Sequence, residues 1–425
     1  MSTENKKLVI GLFGFGVVGT GIYEVLQQTS NLNATIKKIC IKDPQKQRLA
    51  PTELFTTDKE TLLNDDEINV IVEVIDDAQA AFSIVRQALK NGKSVVSANK
   101  KMIAENLPEL LKIVKNSEQS FLYESAACAS IPIIRNLEEY YDNDLLQSIQ
   151  AIVNGSTNYI LSKIQENDWS YEEALKEAQK LGFAESDPSL DVLGKDAVNK
   201  WSFLLTHAYG IVTPTSQLVY NGITNIDAAD AKWAKEKGLS IKLVAQAVKQ
   251  LDNKIVTYVL PQFVSKSHLL ATVKDEFNGV IIEGAFADKQ FFYGKGAGSY
   301  PTASSLLSDI AALRYGYKYE YKKLQIANKV ELSDDFYLRV YLSTEDITNI
   351  PVEEFAHIES YFVSSDRSYL TGVLHSKVFR EQTWWKAKGT SLIVQENSII
   401  SAEELAAIKI HNKSDSILED SFVLN

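Results

Sequence analysis

The stretch Gly182-Phe-Ala-Glu185-Ser-Asp187-Pro-Ser-Leu-Asp191-Val-Leu-Gly-Lys195-Asp196-Ala-Val-Asn-Lys200 sets four carboxylates and two ammonium groups within nineteen residues. It opens as a Gly/Pro-rich loop and closes as a helix. Loop acids of this kind can grip an ammonium-bearing substrate, and a lysine beside them can move a proton. Where a reaction leaves negative charge on an oxygen, an acid must deliver a proton there. A lysine suits that task when burial or a second cation brings its pKa toward neutrality, and Lys100 and Lys200 close together would have that effect. Asp196 and Lys200 are four apart on one helix face and can pair. On spacing alone the commoner meaning is an exposed helix pair worth about 0.3–0.5 kcal/mol. Glu185 and Asp191 read equally as polar loop residues around an Asp187-Pro188 turn.

A second chemical signal lies far upstream. Gly14-Phe15-Gly16-Val17-Val18-Gly19 directly follows an apolar strand and opens a helix. The first glycine permits the tight turn, the second lets backbone approach a pyrophosphate, and the third lets helix pack on strand. The rival meaning is a turn used only for packing. At the tip of the next strand Lys42 and Asp43 stand side by side. An acid there favours NAD and a base favours NADP, so the pair leans only slightly to NADP.

These residues need a frame. The pattern predicts strands over 7–14, 34–41, 69–75, 93–98 and 120–124. Helices are expected over 78–91, closed by Gly92, and over 104–116. Alternation of this kind makes residues 1–135 an α/β, Rossmann-type, doubly wound parallel sheet. Lys100 follows the fourth strand, at the end where open α/β sheets place ligands. Beyond Pro132 the pattern changes to a strand at 145–153, helices at 157–165, 171–181 and 196–208, and short strands from 254 to 294. We take 136–300 as an α/β substrate-binding and dimerisation domain. A helix over 301–315, with proline in its first turn, returns toward the first domain. The last hundred residues look separate, with strands at 336–342, 368–379 and 391–395.

The chain has 425 residues, net charge −11 and two cysteines. That length suits two or three domains. The negative balance and the lack of a dense basic run argue against a nucleic-acid partner, and Cys40 and Cys128 imply no disulfide framework. The polar start of the chain lacks a signal-peptide core, and no apolar run is long enough to span a bilayer. The cytoplasm is therefore expected.

Taken in order, the motifs resemble the homoserine dehydrogenase family. They are the glycine loop, Ser97-Ala-Asn-Lys100, Tyr123-Glu-Ser-Ala-Ala-Cys-Ala-Ser-Ile-Pro132, Asn154-Gly-Ser-Thr-Asn158, the acidic loop, and Gly294-Lys-Gly-Ala-Gly-Ser-Tyr-Pro-Thr302. The resemblance implies NAD(P)-dependent interconversion of L-homoserine and L-aspartate 4-semialdehyde by a homodimer or higher homo-oligomer. Carried over by position, it places Glu185 and Asp191 on the substrate's ammonium. Asp196 and Lys200 fall nearest the chemistry, with Lys100 beside nicotinamide and substrate. Gly155 and Ser156 would give backbone contacts, and Gly296 and Gly298 would lie against the cofactor. It also implies a monovalent cation such as sodium, held by the Glu124 carboxylate and the carbonyls of Ala127 and Ala129.

Several positions depart from the family pattern. Ser156 replaces a threonine, Phe183 a tyrosine, Ala129-Ser130 a glycine pair, and Asp76-Asp77 a Gly-Gly. Cys128 has a rival meaning as the thiol nucleophile of another semialdehyde oxidoreductase, against the commoner one of a buried small thiol. A nicotinamide-binding sensor without catalysis is the non-enzymatic alternative, and the presence of Lys100, Asp196 and Lys200 argues against it. Residues 330–425 suggest an ACT-like C-terminal domain in degenerate form. Phe336–Leu342 resembles its first strand, but Ser343-Thr-Glu-Asp-Ile replaces the usual Asp-x-Pro-Gly turn.

Overall fold

The computed structural model describes residues 7–143, 145–326 and 329–414. The polar stretch 1–6 and the last part of the C-terminal segment, 415–425, lie outside the described residues.

The first sheet holds β1 (Leu8–Phe13), β2 (Ala34–Cys40), β3 (Phe55–Thr56), β4 (Val70–Glu73), β5 (Ser94–Ser97) and β6 (Phe121–Leu122). Their order is β3-β2-β1-β4-β5-β6 and every pair is parallel. This is the doubly wound order expected, with helices covering both faces. Burial of all four residues of β4 follows from that cover, and Glu73 is buried with them. The helices start where side chains can satisfy their free amides. The Asp77 carboxylate accepts from Gln79 N and Ala80 N to begin Ala78–Lys90. The Asn99 carboxamide accepts from Met102 N, 2.9 Å away, to begin Lys100–Lys115. That helix starts earlier than the apolar periodicity indicates, because the Asn99 cap fixes its first turn. Lys100 consequently sits on the first turn, directly after β5.

A second, mixed sheet begins with β7 (Leu146–Ile152), β8 (Val219–Tyr220), β9 (Leu239–Lys249), β10 (Lys254–Ser265), β11 (Phe277–Gly284) and β12 (Asp288–Lys295). It continues with β13 (Glu331–Leu332), β14 (Tyr337–Thr344), β15 (Phe355–Phe362), β16 (Ser368–His375) and β17 (Thr390–Ile400). The main path is β12-β11-β7-β9-β10-β17-β14-β16-β15, and β8 and β13 both pair with β10. The sequence pattern missed β9. Its Lys, Gln and Ala residues favour helix in isolation, but full-length pairing with β10 overrides that preference. Lys242 is buried there because its ammonium donates to Asn158 Oδ1 and Val273 O.

The C-terminal strands are not separate, which corrects the expectation. β17 joins β10, and Val256, Tyr258 and Leu260 share one core with Leu338, Val340 and Trp385. Buried Asp230 accepts from the hydroxyls of Tyr341 and Ser343, and Arg367 pairs with Asp227 at 3.0 Å. The strand expected over 368–379 stops at His375, where the ring Nδ1 caps the helix Ser376–Glu381.

The helix Lys195–Tyr209 runs through the middle of the protein and is almost wholly buried. The Trp201 indole donates to Thr257 Oγ1 at 2.8 Å and fixes the helix on β10. Charged residues on such a helix must find partners. The helix Ser299–Leu313 returns to pack on Val17–Gln27, with Ser299 Oγ donating to Val17 O at 2.9 Å.

Candidate active site

Burial of Asp196 and Lys200 on that central helix organises the site. Lys200 Nζ lies 2.8 Å from Asp196 Oδ2 and donates to Val153 O at 2.8 Å. Lys100, on the other domain and half-exposed, places its ammonium 3.1 Å from Asp196 Oδ1. One carboxylate thus bridges two lysines that are a hundred residues apart in sequence. Asn154 completes the group. Its carboxamide nitrogen donates to Asp191 Oδ1 at 2.7 Å and to Asp196 Oδ2 at 2.8 Å. Its oxygen caps the helix Gly155–Asn167 by accepting from Thr157 N. Sequence reasoning missed Asn154 as a functional residue, although its place directly before a helix was a visible capping signal.

The charges act on one another. Burial alone would raise the Asp196 pKa, but the ammonium groups of Lys100 and Lys200 hold it well below the usual aspartate range. Lys100 is held above the usual lysine value, chiefly by Asp196 and against desolvation. Lys200 therefore does not depress Lys100 below its usual value, because the carboxylate lies between them. Burial and the nearby Asp196 charge raise the Asp191 pKa.

These residues open on a cavity of about 510 Å³ that gathers the sequence motifs. Its lining includes Glu185, Asp187 and Asp191 of the acidic loop, Gly155 and Ser156, and Gly296 and Gly298. Two unexpected charges join them, Glu276 and Lys295, 3.8 Å apart. Gly155 is needed where it stands, since a Cβ would come within 2.5 Å of Glu276 O.

The glycine loop fits a dinucleotide. Gly14 has φ +97°, and a Cβ there would lie 2.8 Å from Val74 O. A Cβ on Gly19 would strike Gly14 O, whereas the space beside Gly16 is open. Phe15 is buried on Tyr23 and Phe55, while Val17 stays exposed and Val18 partly so. The helices Val17–Gln27 and Ser299–Leu313 start at Gly16 and Gly298 without a side-chain cap. Their first amides remain free for an anion such as a pyrophosphate. At the tip of β2, Lys42 and Asp43 are exposed, and Asp43 Oδ1 accepts from Gln45 N. Arg48, absent from the sequence-based candidates, lies over the Phe55 ring.

The departures from the family pattern have local roles. Ser156 Oγ donates to Phe183 O at 2.6 Å, and the Phe183 ring packs on Tyr159. Asp77 caps a helix. Ala129 holds φ +41°, a region alanine adopts at a cost of about 1–3 kcal/mol. Ser130 bonds Lys295 O through both its amide and its hydroxyl. Cys128 is fully buried, and desolvation pushes its thiol up to about 12, so it is not poised as a nucleophile. The Glu124 carboxylate accepts from Ile134 N and Arg135 N, and its own amide donates to Asp309 Oδ2. Among the described residues no cluster of three His, Cys, Asp or Glu side chains forms a metal site, and no helix is long and apolar enough to cross a membrane.

A Rossmann sheet with a glycine loop after its first strand, and a Lys–Asp–Lys group to which the turn after β5 contributes Lys100, defines a nicotinamide-dependent oxidoreductase. The model for "Homoserine dehydrogenase, NAD binding domain" matches residues 14–124, and the model for "Homoserine dehydrogenase" matches residues 132–311. The homoserine dehydrogenase of Helicobacter pylori is 32% identical over 428 residues, covering 97% of each chain. The solved structure of a homoserine dehydrogenase from Thiobacillus denitrificans superposes with a TM-score of 0.78 at 26% identity, over 92% of this chain and 98% of that one. A hyperthermophilic archaeal homoserine dehydrogenase in complex with NADPH gives a TM-score of 0.62 at 27% identity, over 74% of this chain and 99% of that one. The chain belongs to the homoserine dehydrogenase family.

Proposed function

We propose that this chain interconverts L-homoserine and L-aspartate 4-semialdehyde in the biosynthesis of threonine, methionine and isoleucine. The observation that carries this reading is the Lys100–Asp196–Lys200 bridge at the floor of a cavity lined by Glu185 and Asp191. A bound nicotinamide would supply or accept the hydride. Glu185 and Asp191 hold the substrate ammonium, and Gly155 and Ser156 shape the wall beside it. Lys200 spends two of its three donors on Val153 O and Asp196, which leaves one for the reacting oxygen. Lys100 shields the growing negative charge from the other domain. The direct test is reduced-cofactor formation from L-homoserine with NAD⁺ and NADP⁺ in parallel. Cofactor binding without turnover would overturn the reading and support a non-catalytic sensor.

We favour NADP. Asp43 is turned back on its own loop by Gln45, while Lys42 is exposed and able to meet a 2′-phosphate, with Arg48 a second cation further along the same loop. Lys42→Glu should raise the KM for NADP⁺ roughly tenfold, the loss of one charge-assisted contact, and leave that for NAD⁺ unchanged. An equal change for both cofactors would refute the assignment.

A monovalent cation at Glu124, with the carbonyls of Ala127 and Ala129, fits the buried charge there. Of the two buried carboxylates only Asp309 pairs with a guanidinium, that of Arg135, while Glu124 accepts from backbone amides, and burial raises their carboxyls to about 6 and about 8. A proton on Glu124 relieves the surplus at low pH. Because its folded pKa exceeds the unfolded one, that contribution is complete below the usual glutamate range and disappears as pH rises through about 8. Sodium should therefore raise the Tm, relative to choline at equal ionic strength, by roughly 2 °C at pH 8.5 and by less at pH 6. Identical melting in both salts at pH 8.5 would exclude the cation.

The domains are assigned as Rossmann (1–135, with the returning helix), substrate and dimerisation (136–300), and an ACT-like remnant (330–425) whose strands continue the second sheet. Support for the remnant comes from the antiparallel order β17-β14-β16-β15, with Ser343 drawn onto Asp230 instead of a free turn. A homodimer in the cytoplasm is the assembly proposed, with exposed Phe286 and Tyr293 near the edge strand β12 as the contact. A monomer by light scattering would rule that out.

A further inference from the structure

Glu73 is a charged residue at the end of an otherwise apolar parallel strand, with no exposed surface. It lies between β1 and β5, opposite Phe13 and Ser97. One carboxylate oxygen accepts from Ile75 N at 2.8 Å, and the other accepts from Ser97 Oγ at 2.5 Å. Ser97 Oγ in turn accepts from Asn99 N at 3.1 Å, and the Asn99 carboxamide donates to Ile75 O at 2.9 Å. Asn99 Oδ1 caps the helix whose first residue is Lys100. On the other side Val74 O and the Ile75 side chain close over Gly14. One buried carboxylate thus ties together the loop against the cofactor glycines and the turn that presents Lys100. Burying it has a cost, seen in a carboxyl raised to about 7 mainly by desolvation, and an apolar residue would pack in this strand without that cost.

We propose that Glu73 is a positioning residue for Lys100, acting through the Ser97 hydroxyl and the Ile75 amide to set the Lys100 ammonium against Asp196. The inference rests on the catalytic reading of Lys100 above. Glu73 does not touch substrate. Its effect is on the register of the 97–100 turn, and small misplacements of a reacting group are costly to rate.

Two variants test it. Glu73→Gln retains the acceptor for Ile75 N but removes the charge, and Ser97→Ala breaks the link to Asn99 while leaving Glu73 in place. Each should lower kcat for homoserine roughly tenfold with cofactor Kd unchanged, and the double variant should lose no more than the worse single one. A second readout does not depend on turnover. In protein labelled by reductive ¹³C-methylation, the Lys100 resonance, assigned with Lys100→Arg, should titrate at lower pH in both variants as its ammonium withdraws from Asp196. Folded variants with unchanged kcat and an unchanged Lys100 titration would overturn the proposal. So would equal losses in kcat and cofactor affinity, which would confine Glu73 to the cofactor loop. A shifted Lys100 titration in a protein that does not turn over homoserine would uphold the positioning role and remove the proposed substrate.

Discussion

In the Lys200→Ala enzyme, turnover of L-homoserine falls by roughly 10²–10⁴-fold, the range lost with a general acid–base group, while the Kd of the cofactor stays close to wild type. The separation follows from where Lys200 points. Its contacts are Val153 O and Asp196 on the substrate side of the cavity, and none is to the glycine loop. Asp196 retains Lys100 and Asn154 as partners in the variant, so the helix keeps its seat. Stopped-flow turnover with a fluorescence titration of cofactor separates the two quantities. Equal loss of both would mean that Lys200 holds the domains together and does not act on the substrate.

The parts of this site that lie within one local segment were legible in the sequence. The glycine loop follows its strand, and the acids of 185–200 sit on a loop and helix that the pattern located. Family resemblance brought Lys100 and Gly296–Gly298 to the same place, although no periodicity could. What local pattern could not give was the set of contacts across the domains. The two lysines were expected to depress each other, but only the fold shows a carboxylate between them. Asn154 looked like a simple cap, and in the structure its other end clamps two aspartates. Glu276 lies just before β11 with no motif of its own, and Lys295, although inside the Gly294–Thr302 motif, meets it only once the β11–β12 hairpin pairs. The strand β9 failed for a related reason, since its residues take their conformation from pairing with β10 and not from propensity. Glu73 was detectable as a charge inside a buried strand, yet its partners Ser97 and Asn99 are neighbours only once β4 and β5 pair.

Asp196→Asn should have the broadest effect of any single change at the site. The amide has nearly the shape of the carboxylate but lacks the charge that both ammonium groups face. Without it, burial dominates at Lys100, which the carboxylate now holds above its usual value. In homoserine oxidation the substrate hydroxyl must give up a proton to a neutral base, so the acidic limb of kcat marks loss of a lysine proton. That limb should move to lower pH by one unit or more, on the order of the Coulombic effect of a buried neighbouring charge, and maximal kcat should fall at least about tenfold because the two lysines are no longer held in register. Stability changes in the opposite sense to acidification. Asp196 has a folded pKa below its unfolded one, so its ion pairs contribute fully above the usual aspartate range and lose that contribution as pH falls below it. Removing one partner of a buried pair costs roughly 3–5 kcal/mol. Lys200 keeps Val153 O and Lys100 is half-exposed, which places this variant toward the low end. Urea unfolding of wild type and variant should therefore differ most near pH 7, with the gap narrowing as pH falls below the reference aspartate value and closing only below the depressed folded pKa. A stability gap that persists unchanged at pH 3 would show that Asp196 acts through packing, and an unmoved acidic limb would show that neither lysine is the group whose proton controls the rate.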